Sequence, residues 1–322
     1  MRDTDYAFAV AKVRQLENTL FNKQQMLSLI NAENTEEIKA FLLSKGYEIP
    51  DNMSISDMLN REAEENYRFA DDLLPDKSFL KVFTVKNDFH NLKAAIKALV
   101  SGIDPKKYYI FPCETDCEAL VSFITNKDFE SLPPYMRETA KSAYEIAAES
   151  RDGQMIDVII DRAALEAILR FSKESGSELL RKYAQLTVAA ADIKTAWRGA
   201  KAGKREPFFE SAICGSEILP KTAFCRAAAK GTDEVLNFIA GSGETELLDA
   251  LKLGVSELEK TSDIKAAQVM HQSALEAFGP DPVIAFYWFR DMQIRNIRII
   301  SVCKEMGIEP QKIAERVRDI YV

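Results

Sequence analysis

Glycine and proline are scarce in this chain of 322 residues, which contains 13 glycines and 11 prolines. Both residues interrupt helices, and chains rich in turns and short strands contain more of them. Little of the sequence alternates between polar and apolar residues, as a half-buried strand would. The composition therefore argues against a β-sandwich or a barrel and predicts an all-α fold.

Helical periodicity and stop signals divide most of the chain into predicted helices. They cover residues 6–29, 35–44, 55–74, 81–101, 115–125, 134–149, 155–173, 176–202, 221–229, 232–240, 244–271 and 282–306, with a short helix over 310–321.

Long apolar runs are also missing. No uninterrupted apolar stretch approaches the roughly 18 to 20 residues that a membrane-spanning helix needs, and residues 1–5 lack the apolar core of a signal peptide. The five cysteines form an odd set without a disulfide framework, which fits a reducing compartment. We therefore expect a cytoplasmic chain that has no direct membrane span.

The chain has no excess of positive charge. Its formal net charge is −8 and its isoelectric point is near 5.2. Binding of phosphate backbones requires a basic surface, and so does broad adhesion to an anionic bilayer. These values argue against nucleic acid and lipid as partners and leave a protein or a small molecule.

Motifs that carry chemistry are few. The two histidines, His90 and His271, lie in no nucleophile or metal pattern. Residues 199–205 resemble a phosphate-binding loop, but the loop is one residue short and no Ser or Thr follows its lysine. Cys113 and Cys117 have no second pair and no nearby histidine with which to hold a metal. We predict no catalytic site, no cofactor and no metal.

What the chain does contain is a pattern of a polar, an aliphatic and a basic residue that occurs three times. The copies are Asn91-Leu92-Lys93, Asp192-Ile193-Lys194 and Asn296-Ile297-Arg298. A glycine follows eleven positions after the start of each copy, at Gly102, Gly203 and Gly307. Because glycine just past the last turn closes a helix, each copy predicts the end of a packed helix.

The copies begin about 100 residues apart, which is the size of a small domain. Other segments match in the same order: residues 59–63 resemble 160–164, and residues 35–41 resemble 232–238. We therefore predict three similar helical domains, at residues 1–107, 108–208 and 209–322.

The repeated polar residue precedes an aliphatic residue on a helix that should be buried. A basic residue lies upstream in each copy, at Arg61, Arg162 and Lys260. We predict that Asp192 pairs with Arg162, and that Asn91 and Asn296 make weaker equivalents, which fixes the helix register.

The basic residue of each copy, at Lys93, Lys194 and Arg298, lies two positions after the polar one. Two residues turn a helix by about 200°, so the basic side chains face elsewhere. They are interpreted either as cations that face solvent or as a repeated contact with a partner.

Three stretches carry a family resemblance: YAFAVAKVR at 6–14, HNLK at 90–93, and the segment 296–322 with its Gly-Ile-x-Pro stop and final Tyr-Val. Together they resemble the C subunit of the V-type (archaeal-type) ATP synthase, which is related to the d subunit of the eukaryotic vacuolar ATPase. The resemblance extends over essentially the whole chain. The sequence departs from the family pattern at Ala11, where the family often has a small polar residue or asparagine.

The resemblance implies three helical domains in a funnel with a pseudo-threefold arrangement and no active site. It implies a peripheral subunit at the cytoplasmic face of the membrane, whose partners are the central-stalk subunits and the membrane rotor ring. Such a subunit transmits torque between ATP turnover and transport of H⁺ or Na⁺. A hydrophobic or aromatic-lined concavity is expected for the contact with the ring.

The candidate structural or partner-contact residues are the repeated polar and basic set, Asn91, Lys93, Asp192, Lys194, Asn296, Arg298, Arg61 and Arg162. Two alternatives stay open at this point. One is a generic helical-repeat scaffold that binds other proteins, although units of about 100 residues are long for that class. The other is a helical enzyme whose site gathers His90 or His271 with two carboxylates in a deep cleft.

Overall fold

The computed structural model describes residues 6–50, 52–150, 152–274 and 276–318. All regular secondary structure within these ranges is helical, which confirms the all-α prediction. The α-helices of the described ranges are α1 (Ala7–Leu16), α2 (Lys23–Asn31), α3 (Thr35–Ser44), α4 (Ile55–Leu73), α5 (Ser78–Ser101), α6 (Cys117–Thr125), α7 (Arg137–Glu149), α8 (Gly153–Glu174), α9 (Glu178–Lys201), α10 (Glu206–Ala212), α11 (Lys221–Lys230), α12 (Thr232–Ser242), α13 (Thr245–Leu253), α14 (Val255–Ala274), α15 (Asp281–Glu305) and α16 (Pro310–Arg316).

The predicted helix over residues 6–29 is wrong, because the chain forms two helices there. Helix α1 ends at Leu16, and α2 begins at Lys23 after the N-cap residue Asn22. The Asn22 side chain accepts a hydrogen bond from the Gln25 backbone, and the Gln25 side chain accepts one from the Asn22 backbone. This capping box starts a new helix instead of continuing the old one.

The predicted helix over residues 244–271 is also divided. Gly254 adopts a φ of 143° between α13 and α14, a conformation that a helix does not accommodate. No predicted helix covers α10, although Pro207 in its first turn is a common start signal. The short C-terminal helix ends at Arg316, and residues 319–321 of its predicted extent lie outside the described residues.

The chain divides into two compact units. One consists of residues 1–80 with 259–322, and the other of residues 81–258. The boundaries fall inside α5 and inside α14. Each unit therefore combines helices from different copies of the repeated sequence, and the division into three domains of similar fold stays a prediction.

The core of the first unit forms where α15 packs along α4 and beside α1, α2, α3 and α16. Ile297 and Ile300 of α15 are buried among Met58 and Leu59 of α4 and Leu42 of α3. All five side chains are fully buried, so this face of α15 is part of the core.

Polar side chains are also buried in the first unit. The Gln293 amide accepts a hydrogen bond from the Phe21 backbone N–H at 2.6 Å and donates one to the Tyr47 hydroxyl at 2.9 Å. Arg290 donates to the Glu62 carboxylate at 2.8 Å, and the Glu62 side chain is 8% exposed. Removal of one member of such a buried pair leaves the other charge uncompensated, so this contact fixes α15 against α4.

The second unit packs α8 against α7, α9 and α10, with α11 and α12 against α9. Gly199 of α9 is buried, and a Cβ atom at this position would lie 2.5 Å from Cε1 of Phe209 in α10. Only glycine permits this approach, so α10 packs on α9 because Gly199 has no side chain.

The three glycine stops are confirmed. Gly102, Gly203 and Gly307 have φ values of 71°, 66° and 67°, which belong to the left-handed region. After the second and third glycines, the next N–H donates to a carbonyl five residues back, from Lys204 to Gly199 and from Ile308 to Cys303. This is the hydrogen bond of a Schellman motif.

Candidate functional site

The polar residue of the first copy, Asn91, is fully buried on α5 and binds the backbone that returns after the glycine stop. Its Oδ1 atom accepts from the Ile110 N–H at 2.8 Å, and its Nδ2 atom donates to the Ile110 carbonyl at 3.0 Å. The Asn91 side-chain amide thus forms hydrogen bonds with both the backbone N–H and the backbone carbonyl of Ile110.

The third copy repeats this arrangement on α15. Asn296 is fully buried, its Oδ1 atom accepts from the Arg318 N–H at 3.0 Å, and its Nδ2 atom donates to the Arg318 carbonyl at 3.0 Å. The peptide groups bound by Asn91 and Asn296 each follow a glycine stop and a chain reversal.

The middle copy uses a carboxylate. Asp192 is fully buried on α9, and its two oxygens accept from the backbone N–H groups of Cys214 at 3.0 Å and Gly215 at 2.7 Å. Burial raises the pKa of Asp192 to about 6, while these two hydrogen bonds and the Lys221 cation act in the opposite direction.

The predicted pairing of Asp192 with Arg162 is wrong. Arg162 forms an ion pair with Glu166 at 3.2 Å and donates to the Glu210 carbonyl, whereas the Asp192 carboxylate binds backbone N–H groups. Arg61 similarly pairs with Glu65 at 3.6 Å and donates to the Glu48 carbonyl. The repeated polar residues fix their own chain reversal, and the upstream arginines form contacts within their helices and with nearby carbonyls.

The basic residues of the first and third copies reach neighbouring helices. Lys93 forms ion pairs with Asp161 and, at 3.7 Å, with Asp157 of α8. Arg298 donates to the Ser56 hydroxyl at 3.2 Å and to Asn60 at 2.9 Å, both on α4. Lys194 of the second copy is partly buried on α9.

The predicted repeat relates these two sets of partners. The predicted correspondence of residues 59–63 with 160–164 aligns Asn60 with Asp161, and it aligns Ser56 with Asp157 four residues earlier. Under this predicted correspondence, Lys93 and Arg298 contact matching positions on α8 and α4. Both contacts lie within the chain, whereas the two interpretations from the sequence are a cation that faces solvent and a contact with a partner.

Sequence reasoning did not identify Asp88, which lies on α5 beside Asn91. Its Oδ1 atom accepts from the N–H groups of Glu114 and Thr115 and from the Thr115 hydroxyl, and its Oδ2 atom accepts from the Tyr135 hydroxyl at 2.9 Å. Burial raises the pKa of Asp88, against these hydrogen bonds. No local signal marks such a residue, because its partners follow it by more than twenty positions.

The histidines form ordinary packing contacts. Nε2 of His90 lies 3.0 Å from the Tyr108 carbonyl oxygen. The His271 ring lies 4.5 Å from the Phe289 ring, and burial lowers its pKa. Within the described ranges, no group of three or more His, Cys, Asp or Glu side chains is placed to hold a metal ion.

A groove of about 500 Å³ lies at the C-terminal end of α5, between this helix, the segment that follows it and the start of α8. Apolar side chains dominate its lining, including Val100, Ile103 and Tyr108, and Lys93 and Lys97 also line it. Ile103 and Tyr108 are 54% and 55% exposed. Large exposed apolar side chains in one place are typical of contact surfaces. We name this site the α5 groove.

The repeated polar residues thus hold returning backbone segments against the long helices of an all-helical chain. Across the described residues, no helix is both long enough and apolar enough to cross a membrane.

Comparison with known proteins identifies the family. A family model of the ATP synthase (C/AC39) subunit matches residues 9–316. The chain is 23% identical to the C subunit of the V-type sodium ATPase of Enterococcus hirae, in a match that covers 96% of this chain and 97% of that protein. It is 21% identical to the C subunits of the A-type ATP synthases of Methanocaldococcus jannaschii and Methanobrevibacter smithii, in matches that cover 96% of this chain and 85% and 87% of those proteins. The chain belongs to the ATP synthase (C/AC39) subunit family.

Proposed function

We propose that this chain is a non-catalytic subunit of the central rotor of a V-type or A-type ATP synthase. It joins the central-stalk subunits to the membrane rotor ring at the cytoplasmic face of the membrane, and it transmits torque between ATP turnover and transport of H⁺ or Na⁺. The observation that carries this proposal is the family match over residues 9–316. The curated relatives are named as C subunits of a V-type sodium ATPase and of A-type ATP synthases.

The packing supports a mechanical role. Close-packed interiors transmit strain because they have little free volume into which to deform. Asn91, Asp192 and Asn296 each bind the backbone of a chain reversal, so the ends of the long helices are fastened to the segments that follow them. A protein that carries torque gains from such fastening, since a loose reversal would bend under load.

The proposal includes three similar helical domains arranged as a funnel with pseudo-threefold symmetry. Two observations support it: the left-handed glycines recur at equivalent positions in all three copies, and so does the buried polar residue that binds the returning backbone. Each copy therefore contains the same helix, stop and fastened reversal.

The α5 groove is the proposed contact surface for another subunit of the complex. Its apolar lining matches the hydrophobic concavity that the family resemblance implies. Burial of Ile103 and Tyr108 by a protein partner would remove apolar surface from water. This stabilises a complex by about 25 cal/mol for each Å² of apolar surface that is buried.

Co-purification tests the proposal. An affinity-tagged copy of the chain, expressed at native level, is recovered from detergent-solubilised membranes, and the chains that accompany it are identified by mass spectrometry. We expect the central-stalk and rotor-ring subunits. Recovery of neither would contradict the rotor assignment, and recovery of unrelated proteins would favour a generic helical scaffold.

A further inference from the structure

Two cysteines lie in contact beside the reversal that Asn91 holds. Cys113 lies in the turn before α6, and Cys117 is the first residue of α6. Their Sγ atoms are 3.5 Å apart. A disulfide bond has an S–S length of about 2.05 Å, so the two sulfurs need to approach by only about 1.5 Å to bond.

The surroundings of Cys117 favour its thiolate. The hydrogen bond from the Cys113 thiol lowers the pKa of Cys117, and the hydrogen bond from Nδ2 of Asn91, at 3.3 Å, acts in the same direction against burial. The first turn of a helix also stabilises a thiolate. Donation of its proton to Cys117, together with burial, raises the pKa of Cys113. When the pair has lost one proton, the remaining proton lies between the two sulfur atoms and can be held by either one.

The other cysteines lack this arrangement. Burial raises the pKa of Cys214 to about 12 and that of Cys225 to about 11. Cys303 is 3% exposed and packs in the core of the first unit. Since the thiolate is the reactive form of cysteine, Cys214 and Cys225 should react more slowly than the pair, and burial should shield Cys303 from an external disulfide.

We propose that Cys113 and Cys117 form a redox-active dithiol, which small-molecule disulfides such as oxidised glutathione convert to an intramolecular disulfide. The two sulfurs in contact and the half-buried position of Cys113 carry this assignment.

The exchange proceeds in two displacements after the pair loses one proton. The charge lies mainly on Cys117, which is buried, so the reaction uses the minor form in which Cys117 holds the shared proton and the charge lies on the more accessible sulfur, that of Cys113. This sulfur attacks one sulfur of the glutathione disulfide, so a mixed disulfide forms and one glutathione thiolate leaves. Cys117 then loses its proton, attacks the Cys113 sulfur and displaces the second glutathione. The two protein thiols lose two electrons, and the external disulfide gains them as two thiols.

The product has a structural consequence. The new bond would connect the turn before α6 to the first turn of α6, at the sulfur that Asn91 contacts. Oxidation would therefore add a covalent link at the reversal of the first copy.

Oxidation of the full chain tests this inference. The reduced protein is incubated with oxidised glutathione, quenched with acid, alkylated and digested for mass spectrometry. We expect the peptide that contains both Cys113 and Cys117 to carry no alkyl group and to weigh two hydrogens less than its reduced, unalkylated form. The other three cysteines should remain alkylatable. Oxidation of Cys214, Cys225 or Cys303 at an equal rate, or a peptide of unchanged mass, would overturn the proposal.

Three variants sharpen the result. Cys117→Ser removes the resolving thiol and should stop the reaction at a glutathione adduct on Cys113. Cys113→Ser should prevent the disulfide and leave Cys117 largely unmodified, while the matched control Cys214→Ser should oxidise like the wild type. Circular dichroism of each variant verifies that it is folded. Equal adduct formation on Cys117 in Cys113→Ser would contradict the assigned order of attack.

Discussion

At the scale of single residues, the identity of the repeated polar side chain follows from the backbone that it faces. Asn91 and Asn296 each face the N–H and the carbonyl of one residue, and an amide offers one acceptor and one donor in return. Asp192 faces two N–H groups, and a carboxylate only accepts. Asparagine and aspartate are therefore not interchangeable at these positions, although they have nearly the same shape.

Reciprocal substitutions test this rule. Asp192→Asn turns an amide N–H₂ toward a backbone N–H, and Asn91→Asp turns a carboxylate oxygen toward the Ile110 carbonyl. Each change leaves buried polar groups without a partner and should lower the free energy of unfolding by about 1 to 3 kcal/mol, as measured by urea denaturation.

The matched control is Asn237→Asp, on the exposed face of α12, which should change stability by no more than about 0.5 kcal/mol. If Asn91→Asp proves as mild as this control, the amide of Asn91 does not fasten the reversal.

The raised pKa of Asp192 predicts how stability depends on pH. Its folded-state pKa of about 6 lies above the ordinary value of 3.8. Between these two values the folded state binds a proton that the unfolded state does not, so the contribution of Asp192 to stability falls as pH rises through this window. The wild type should therefore exceed Asp192→Asn in free energy of unfolding by more at pH 5 than at pH 7. A difference that is equal at both pH values, or smaller at pH 5, would show that burial does not dominate at Asp192.

At the scale of elements, local signals determine where most helices end. Substitution of Gly307 by alanine should cost about 1 to 2 kcal/mol, because alanine is strained at a φ of 67°. Gly153 at the start of α8 has no positive φ and has room for a Cβ atom, so Gly153→Ala is the matched control and should be neutral or stabilising. Thermal unfolding of both variants gives the comparison. Equal melting temperatures would mean that the stop at Gly307 does not require a left-handed residue.

The sequence allowed accurate prediction at several positions where the signal was local. Helix α3 was predicted at its observed bounds, and the glycine stops were predicted because helix closure depends on a few neighbouring residues. The two helix breaks were missed, although Gly254 and the capping box of Asn22 with Gln25 are also local signals.

The contacts of the candidate site were less predictable. The partners of Asn91, Asp192 and Asn296 lie 19 to 23 positions further along the chain, in segments without regular periodicity. Helical spacing identifies which residues share a face, but it does not show which backbone group returns to that face. For the same reason, the arginine partner predicted for Asp192 was wrong.

At the scale of the whole molecule, the α5 groove provides a direct test of assembly. Ile103→Asp places a charge in an exposed apolar position, so it should leave the isolated chain folded and reduce recovery of the other subunits several-fold, because burial of an unpaired charge opposes docking. Recovery is measured by quantitative mass spectrometry of affinity-purified complexes.

The matched control is Leu253→Asp, which places the same charge at an exposed leucine outside the groove, at the end of α13. It should leave recovery unchanged. Equal recovery with Ile103→Asp and with the wild type would exclude the α5 groove as a contact surface.

We propose that this chain carries torque between ATP turnover and ion movement, and ATP-driven ion transport is the sharpest test of this role. Membrane vesicles are prepared from cells that lack the chain and from the same cells supplied with it, and ATP hydrolysis and ion uptake are measured in parallel. Without the chain, the ATPase head should still hydrolyse ATP while ATP-driven uptake is lost, and the wild-type chain should restore uptake. Undiminished uptake in the absence of the chain would rule out a torque-carrying role.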